Sequence, residues 1–136
     1  MSASNRKKVD INQKDINGNT PLMRAIQKHR DDIVSLLIEK NANPNIKNNE
    51  GKTALFFVRY EDMCRSLIKS GADIYAQDNK GQCSFSVHMD LGNFEIAKII
   101  FTELVNSMSS NRLQDPQYTA SGGIGHILSR LEKFST

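Results

Sequence analysis

The chain has 136 residues, 38% hydrophobic and 24% charged, with a formal net charge of +3; this is the balance of one globular domain with tails, not of a disordered chain. Residues 1–14 carry +3 and residues 78–104 carry −2, and neither stretch is a basic stripe with interleaved aromatics, so direct nucleic-acid binding is not indicated. The longest apolar runs, "IIF" and "LFFV", are too short to insert into a membrane, "MSASNRKKVD" lacks the apolar stretch of a signal peptide, and Cys64 and Cys83 have no zinc spacing and fit two reduced, partly buried thiols.

Residues 1–8 form a basic tail. The first structured signal is "DINGNTPLMRAI", from Asp15 to Ile26. Gly18 supplies the backbone freedom of a tight turn, Thr20 can cap a helix start, and Pro21 is tolerated at the first helical position, so a helix is predicted from Pro21. A second helix follows in "RDDIVSLLIEKNA", where Ile33, Val34, Leu36 and Leu37 recur at helical spacing and Asp31 and Asp32 favour a helix N-terminus. The two should run antiparallel across a short turn near His29 and Arg30, with Asn41 ending the second.

The pattern then repeats. "DINGNTPLMRA", "NNEGKTALFFV" and "DNKGQCSFSVH" place Gly18, Gly51 and Gly81 at spacings of 33 and 30 residues. "VDINQK", "ANPNIK" and "ADIYAQ" place Asp10, Asn43 and Asp73 at the same two spacings. Two registers agreeing on one period mark an internal repeat, and a unit of two helices and a turn cannot bury its own apolar face, so units must stack.

These residues resemble the ankyrin-repeat family. Its pattern is matched in the first unit by Asp15, Gly18, Thr20, Pro21, Leu22, Ala25, Ile33, Val34, Leu37, Ala42 and Asn45. The second unit keeps Gly51, Thr53, Leu55, Leu67, Gly71, Ala72 and Asp73 but is three residues short, and "VRYEDM" suggests that the loss falls in the turn between its helices. The third keeps Asp78, Gly81 and "GNFEIAKII", but has Cys83, Ser84 and Phe85 in place of Thr-Pro-Leu and His88 in place of a small buried alanine. It is a degenerate repeat, as terminal ones often are. Met23, Phe56 and Ser86 stand where the family usually has histidine, which implies modest stability. The resemblance covers residues 9–104, divided as the end of a partial repeat at 9–14 and units at 15–47, 48–77 and 78–104. It implies an all-α solenoid of stacked helix-turn-helix repeats with β-hairpin finger loops.

With too few residues before Val9 for another helix pair, part of the apolar edge formed by Ile26, Ile33 and Leu37 should be uncovered, leaving self-association through that edge open. Past Leu104 no glycine or asparagine stands at the helix-ending place, so the last helix can run on through Val105. Residues 105–123 read as a polar linker broken by Pro116 and glycines. In 124–136, Ile124, Ile127, Leu128, Leu131 and Phe134 share one helical face, suiting a cap on the third unit, a docking helix or a frayed tail.

Enzyme signals are weak. "GGIGHIL" lacks the third glycine and the surrounding strands of a dinucleotide loop. His29, His88 and His126 have no partner at metal-ligand spacing. No catalytic residue, cofactor or metal is indicated. What remains is recognition of a protein partner, and the resemblance implies that it uses hairpin tips and the ends of first helices on a concave face. Those positions are Ile16, Asn17, Asn19, Gln27 and Lys28 in the first unit, Asn49, Glu50, Lys52 and Tyr60 in the second, and Asn79, Lys80, Gln82, Asp90 and Leu91 in the third. Ile16 and Tyr60 are the preferred anchors, as large exposed side chains that burial by a partner would stabilise. The expected role is a non-catalytic interaction module in the cytoplasm or nucleus; the alternative is a regulatory segment of a larger enzyme, channel or transcription regulator, positioning or masking another domain.

Overall fold

The structure, a computed structural model, describes residues 10–109, so the basic tail, most of the linker and the amphipathic segment 124–136 lie outside the described residues. Helix α1 spans Pro21–Gln27, opened by Thr20, whose hydroxyl oxygen accepts from the Met23 amide at 3.2 Å. His29 takes a left-handed φ of 59°, and the Arg30 amide returns to the Ala25 carbonyl at 2.9 Å, closing the turn. Helix α2, Asp31–Glu39, carries Asp31 and Asp32 in its first turn, where carboxylates favour the helix dipole. Asn41 at φ 65° follows the end of α2 as expected, and Gly71 at φ 102° does the same for α3, Glu61–Lys69. Helices α4, Ser84–Leu91, and α5, Phe94–Ser109, complete the described residues, with Gly92 at φ 81° between them.

The missing residues of the second unit come out of a helix, not out of the turn as the sequence suggested. In place of a seven-residue first helix like α1, the unit has a four-residue 3-10 turn, Ala54–Phe57. Val58 is extended at ψ 147°, and Val58 to Tyr60 form a connection as long as Lys28 to Arg30 in the first unit.

The elements form two rows. In one, α1 and α4 pack on either side of the 3-10 turn; in the other, α5 packs on α3, with α1 on α2 and α4 on α5 joining the rows. Leu22, Ile26, Leu55, Val58, Leu67, Phe85, Ile100 and Leu104 belong to one continuous buried cluster. Fully burying each such side chain contributes about 1.5–3 kcal/mol, so the stack and not the single unit holds the fold.

One register position shows the effect of stacking. Ile33, Met63 and Ile96 are equivalent in the three units and are 37%, 8% and 2% exposed. Of the three residues expected at the open edge, Ile26 is buried, Leu37 is half-buried and Ile33 is exposed, with Leu36 beside it on α2. At the other end α5 continues to Ser109, and Leu104, standing where Asn41 and Gly71 end the earlier helices, is fully buried.

Candidate functional site

Each finger loop is built on one side chain. The Asp15 carboxylate accepts from the Asn17 and Asn19 amides, both at 2.9 Å. Asn48 does the same for Glu50 and Lys52 at 2.9 and 3.0 Å, and Asp78 for Lys80 and Gln82 at 2.9 Å each. The backbone closes each loop through an amide of the same residue donating to the carbonyl four residues on, in Asp15–Asn19, Asn48–Lys52 and Asp78–Gln82. The expected β-hairpins are not confirmed. Among the described residues the isolated bridge between Gln77 and Cys83 is the one β-type pairing.

Adjacent fingers are joined by two asparagine ladders. Asn49 donates its side-chain Nδ2 to the Ile16 carbonyl at 3.0 Å and its backbone N–H to Asn17, while Asn79 does likewise to Asn49 and Glu50, at 2.9 Å in both bonds. In the segments that precede the finger tips, the Asn12 side-chain oxygen accepts from the Asn43 amide at 2.9 Å and that of Asn45 from the Asp73 amide at 2.8 Å. Gly18 and Gly51 make this approach feasible. At φ +79° each turns the chain tightly, and a Cβ on either would stand 2.7 Å from the backbone nitrogen of Asn49 or Asn79.

At one end of each ladder asparagine gives way to a large aliphatic or aromatic residue. Ile16 occupies the position of Asn49 and Asn79 and is 92% exposed, while Tyr75 occupies that of Asn12 and Asn45.

Many of the sequence-predicted face residues come together. Asn17, Asn19, Gln27, Asn49 and Glu50 line one depression with Asn48 and Phe57. Gln27, Lys52 and Leu91 line an adjoining one, again with Phe57, and with Arg59 and Val87. Lys28 is exposed beyond the end of α1; Lys80 and Asn79 are exposed on the third finger, where Gln82 donates to Asp90 at 3.4 Å. Tyr60 lies apart. Because the first helix is shortened, Tyr60 directly precedes α3 and lines a groove with Val34 and Ile38 of α2, its ring edge-on to His29 with centroids 5.8 Å apart. Phe57 and Arg59 were not among the predicted residues.

A family model for ankyrin repeats in three copies matches residues 3–78. The chain belongs to the ankyrin-repeat family. Its third helix pair lies beyond the match, yet its finger repeats the hydrogen bonds of the other two. The chain is 30% identical over 96 residues to an ankyrin repeat-containing protein of Schizosaccharomyces pombe, covering 69% of this chain and 46% of that protein. It is 29% identical over 104 residues to an ankyrin-repeat relative in fowlpox virus, covering 70% of this chain and 30% of the relative. It is 38% identical over 68 residues to a transient receptor potential cation channel subfamily A member 1 homolog of Caenorhabditis elegans, covering 46% of this chain and 6% of the channel. The chain thus spans less than half the length of each of these relatives. Ankyrin repeats generally mediate protein–protein interaction and are generally non-catalytic.

The histidine that replaces the usual small residue in the third ankyrin unit has a structural partner. His88 is fully buried, with Nε2 2.9 Å from the Leu55 carbonyl and Nδ1 3.1 Å from the Asn93 side-chain nitrogen. A carbonyl can only accept and an amide nitrogen only donate, so the imidazole is neutral with its proton on Nε2. Burial holds its pKa below the ordinary 6.5, the Leu55 bond opposes that, and the Arg59 cation adds to the lowering. This bond gives the carbonyl of Leu55, which lies in the 3-10 turn, a partner in the next unit. Another titratable core group, the Cys64 thiol, is pushed by burial up to about 12 and is chemically quiet.

Proposed function

We propose that this ankyrin stack is a protein-binding module whose contact surface is formed by the finger tips and the ends of the first helices. The observation that carries the reading is the pair of adjoining depressions that share Gln27 and Phe57 and take in Asn17, Asn19, Asn49, Glu50, Lys52 and Leu91. Finger loops tied to each other and to a buried core present side chains at fixed spacing, which reduces the ordering cost of binding. Asn49 and Asn79 act first as staples between fingers, while Ile16, Lys52, Lys80 and Leu91 are among the side chains left to meet a partner.

The test is a quantitative pull-down from cell extract with the parent chain and with Ile16→Asp/Lys52→Glu/Leu91→Ser, after circular dichroism shows equal helicity. A protein retained by the parent and lost by the variant supports the face. Equal retention of every captured protein removes it.

A second reading, in which these repeats position or mask another domain of a larger protein, is favoured by the small share of the relatives that the chain spans, 6% of the nematode channel homolog. Transcripts that extend the reading frame into further domains would support it. Self-association has support in the exposure of Ile33 and Leu36 on α2, and light scattering over a concentration series tests it: a constant monomer mass removes it. The two free, buried cysteines suit a cytoplasmic or nuclear setting, which imaging of the tagged chain would check.

A further inference from the structure

We propose that the partner segment received by this face is acidic and apolar, with an aromatic or aliphatic side chain seated against Phe57 and Leu91 and a neighbouring Asp or Glu carboxylate held by Lys52 and Arg59. This rests on the binding face proposed above and names the chemistry of what binds there.

Phe57, Val87 and Leu91 supply apolar surface to one depression, whose lining also holds Lys52 and Arg59 and no acidic residue. Leu91 is 63% exposed and Phe57 is half-buried, so both have area left to cover. The two carboxylates of the predicted face, Glu50 and Asp90, are not part of this lining.

The cations are also uncommitted. Among the described residues Arg24, Arg30 and Arg65 pair with Asp15, Asp32 and Glu61, whereas Lys52 and Arg59 have no ion pair. A basic segment would bring like charges together over an apolar floor, which is unfavourable, while an acidic one meets two donors and gains in both attraction and encounter rate.

The probe is a random peptide library displayed on phage and selected on the intact chain, with enriched sequences resynthesised and their binding followed by fluorescence anisotropy. The expected result is enrichment of peptides that place Asp or Glu beside Phe, Leu, Ile or Trp. Their affinity should fall about tenfold or more with Lys52→Glu or Arg59→Glu, fall with Leu91→Ser, weaken with added salt, and stay unchanged with Lys69→Glu on α3. All four positions are at least partly exposed, so the variants should fold, and circular dichroism checks that.

Basic or uncharged peptides that depend on Leu91 would overturn the acidic assignment and leave the face standing. Acidic peptides indifferent to Lys52, Arg59 and Leu91 would overturn the face together with the assignment. Failure to enrich any peptide above an unrelated immobilised protein also overturns the proposal.

Discussion

The first and second units solve the same local problem in different ways. In the first, α1 is long enough to satisfy itself, its Ala25 carbonyl meeting the Arg30 amide five residues on. In the second, the helix is cut to a 3-10 turn and the buried Leu55 carbonyl takes its donor from His88, 33 residues away in the next unit. A deletion inside one repeat is thus compensated by a substitution in its neighbour. Each unit alone looks defective, one too short and the other with a bulky polar residue in a small apolar place, and together they are satisfied. The second and third units should therefore lose structure as one, while the first is tied to the second by packing, the ladders and a side-chain bond from Asn48 to Asn19.

The largest effect should come from breaking that shared bond. His88→Ala removes this bond to the buried Leu55 carbonyl and opens a cavity, and a loss of about 3 kcal/mol is expected in urea unfolding. Asn93→Ala keeps the Leu55 bond and removes only the donor that faces Nδ1, so its loss should be nearer about 1 kcal/mol. Equal losses in the two variants would mean that the Leu55 bond is not the important contact.

The same ring predicts a pH dependence. The folded-state pKa of His88 lies below the unfolded value, so below about pH 6.5 the unfolded chain binds the extra proton more readily than the folded one. Stability should be constant with respect to this group above that pH and fall as the pH drops from there toward the folded pKa. Urea midpoints at a series of pH values, for the parent and His88→Ala, isolate the contribution. A difference between the two that does not shrink with acidification would contradict the neutral buried ring.

A smaller contrast separates the fingers. Gly18 and Gly81 share a φ of +79°, but a Cβ at Gly18 meets the backbone of Asn49 while one at Gly81 meets open space. Gly81→Ala should cost about 1–2 kcal/mol for the left-handed backbone alone, and Gly18→Ala should cost about 1 kcal/mol more as the next finger is pushed away. Thermal unfolding of both variants measures the difference, and equal losses would show that close finger stacking contributes little.

How far the sequence disclosed this arrangement follows from what each position depends on. The turns, caps and helix starts were legible because Gly18, Thr20, Pro21, Asp31 and Gly71 act within their own few residues. The stack was legible because the period repeats. The loss of a first helix in the second unit was not, because a gap of three residues can be taken from turn or helix alike. In the candidate face, Asn49 and Asn79 read as binding residues when their side chains reach back to the preceding finger. Tyr60 read as the end of a first helix that is not there, and so it turns up in the groove between α2 and α3. Phe57 and Arg59 entered the face through the same shortening.

The smallest effects test the ladder and its end together. Asn49→Ala removes one side-chain donor to Ile16 while leaving the backbone bond between the same fingers, so a loss of about 1 kcal/mol is expected, with the same for Asn79→Ala. Ile16 stands at the equivalent position, its carbonyl used by Asn49 and its side chain almost wholly in solvent. Ile16→Ala should therefore leave the unfolding midpoint within about 0.5 kcal/mol of the parent, since no neighbour is lost and the carbonyl is unchanged. Finding Ile16→Ala as damaging as Asn49→Ala would mean that this side chain is already covered within the chain itself, and a surface the chain covers cannot serve as the exposed anchor of a partner. Stability unaffected at Ile16, together with loss at both asparagines, would separate the residues that build the face from the one left to use it.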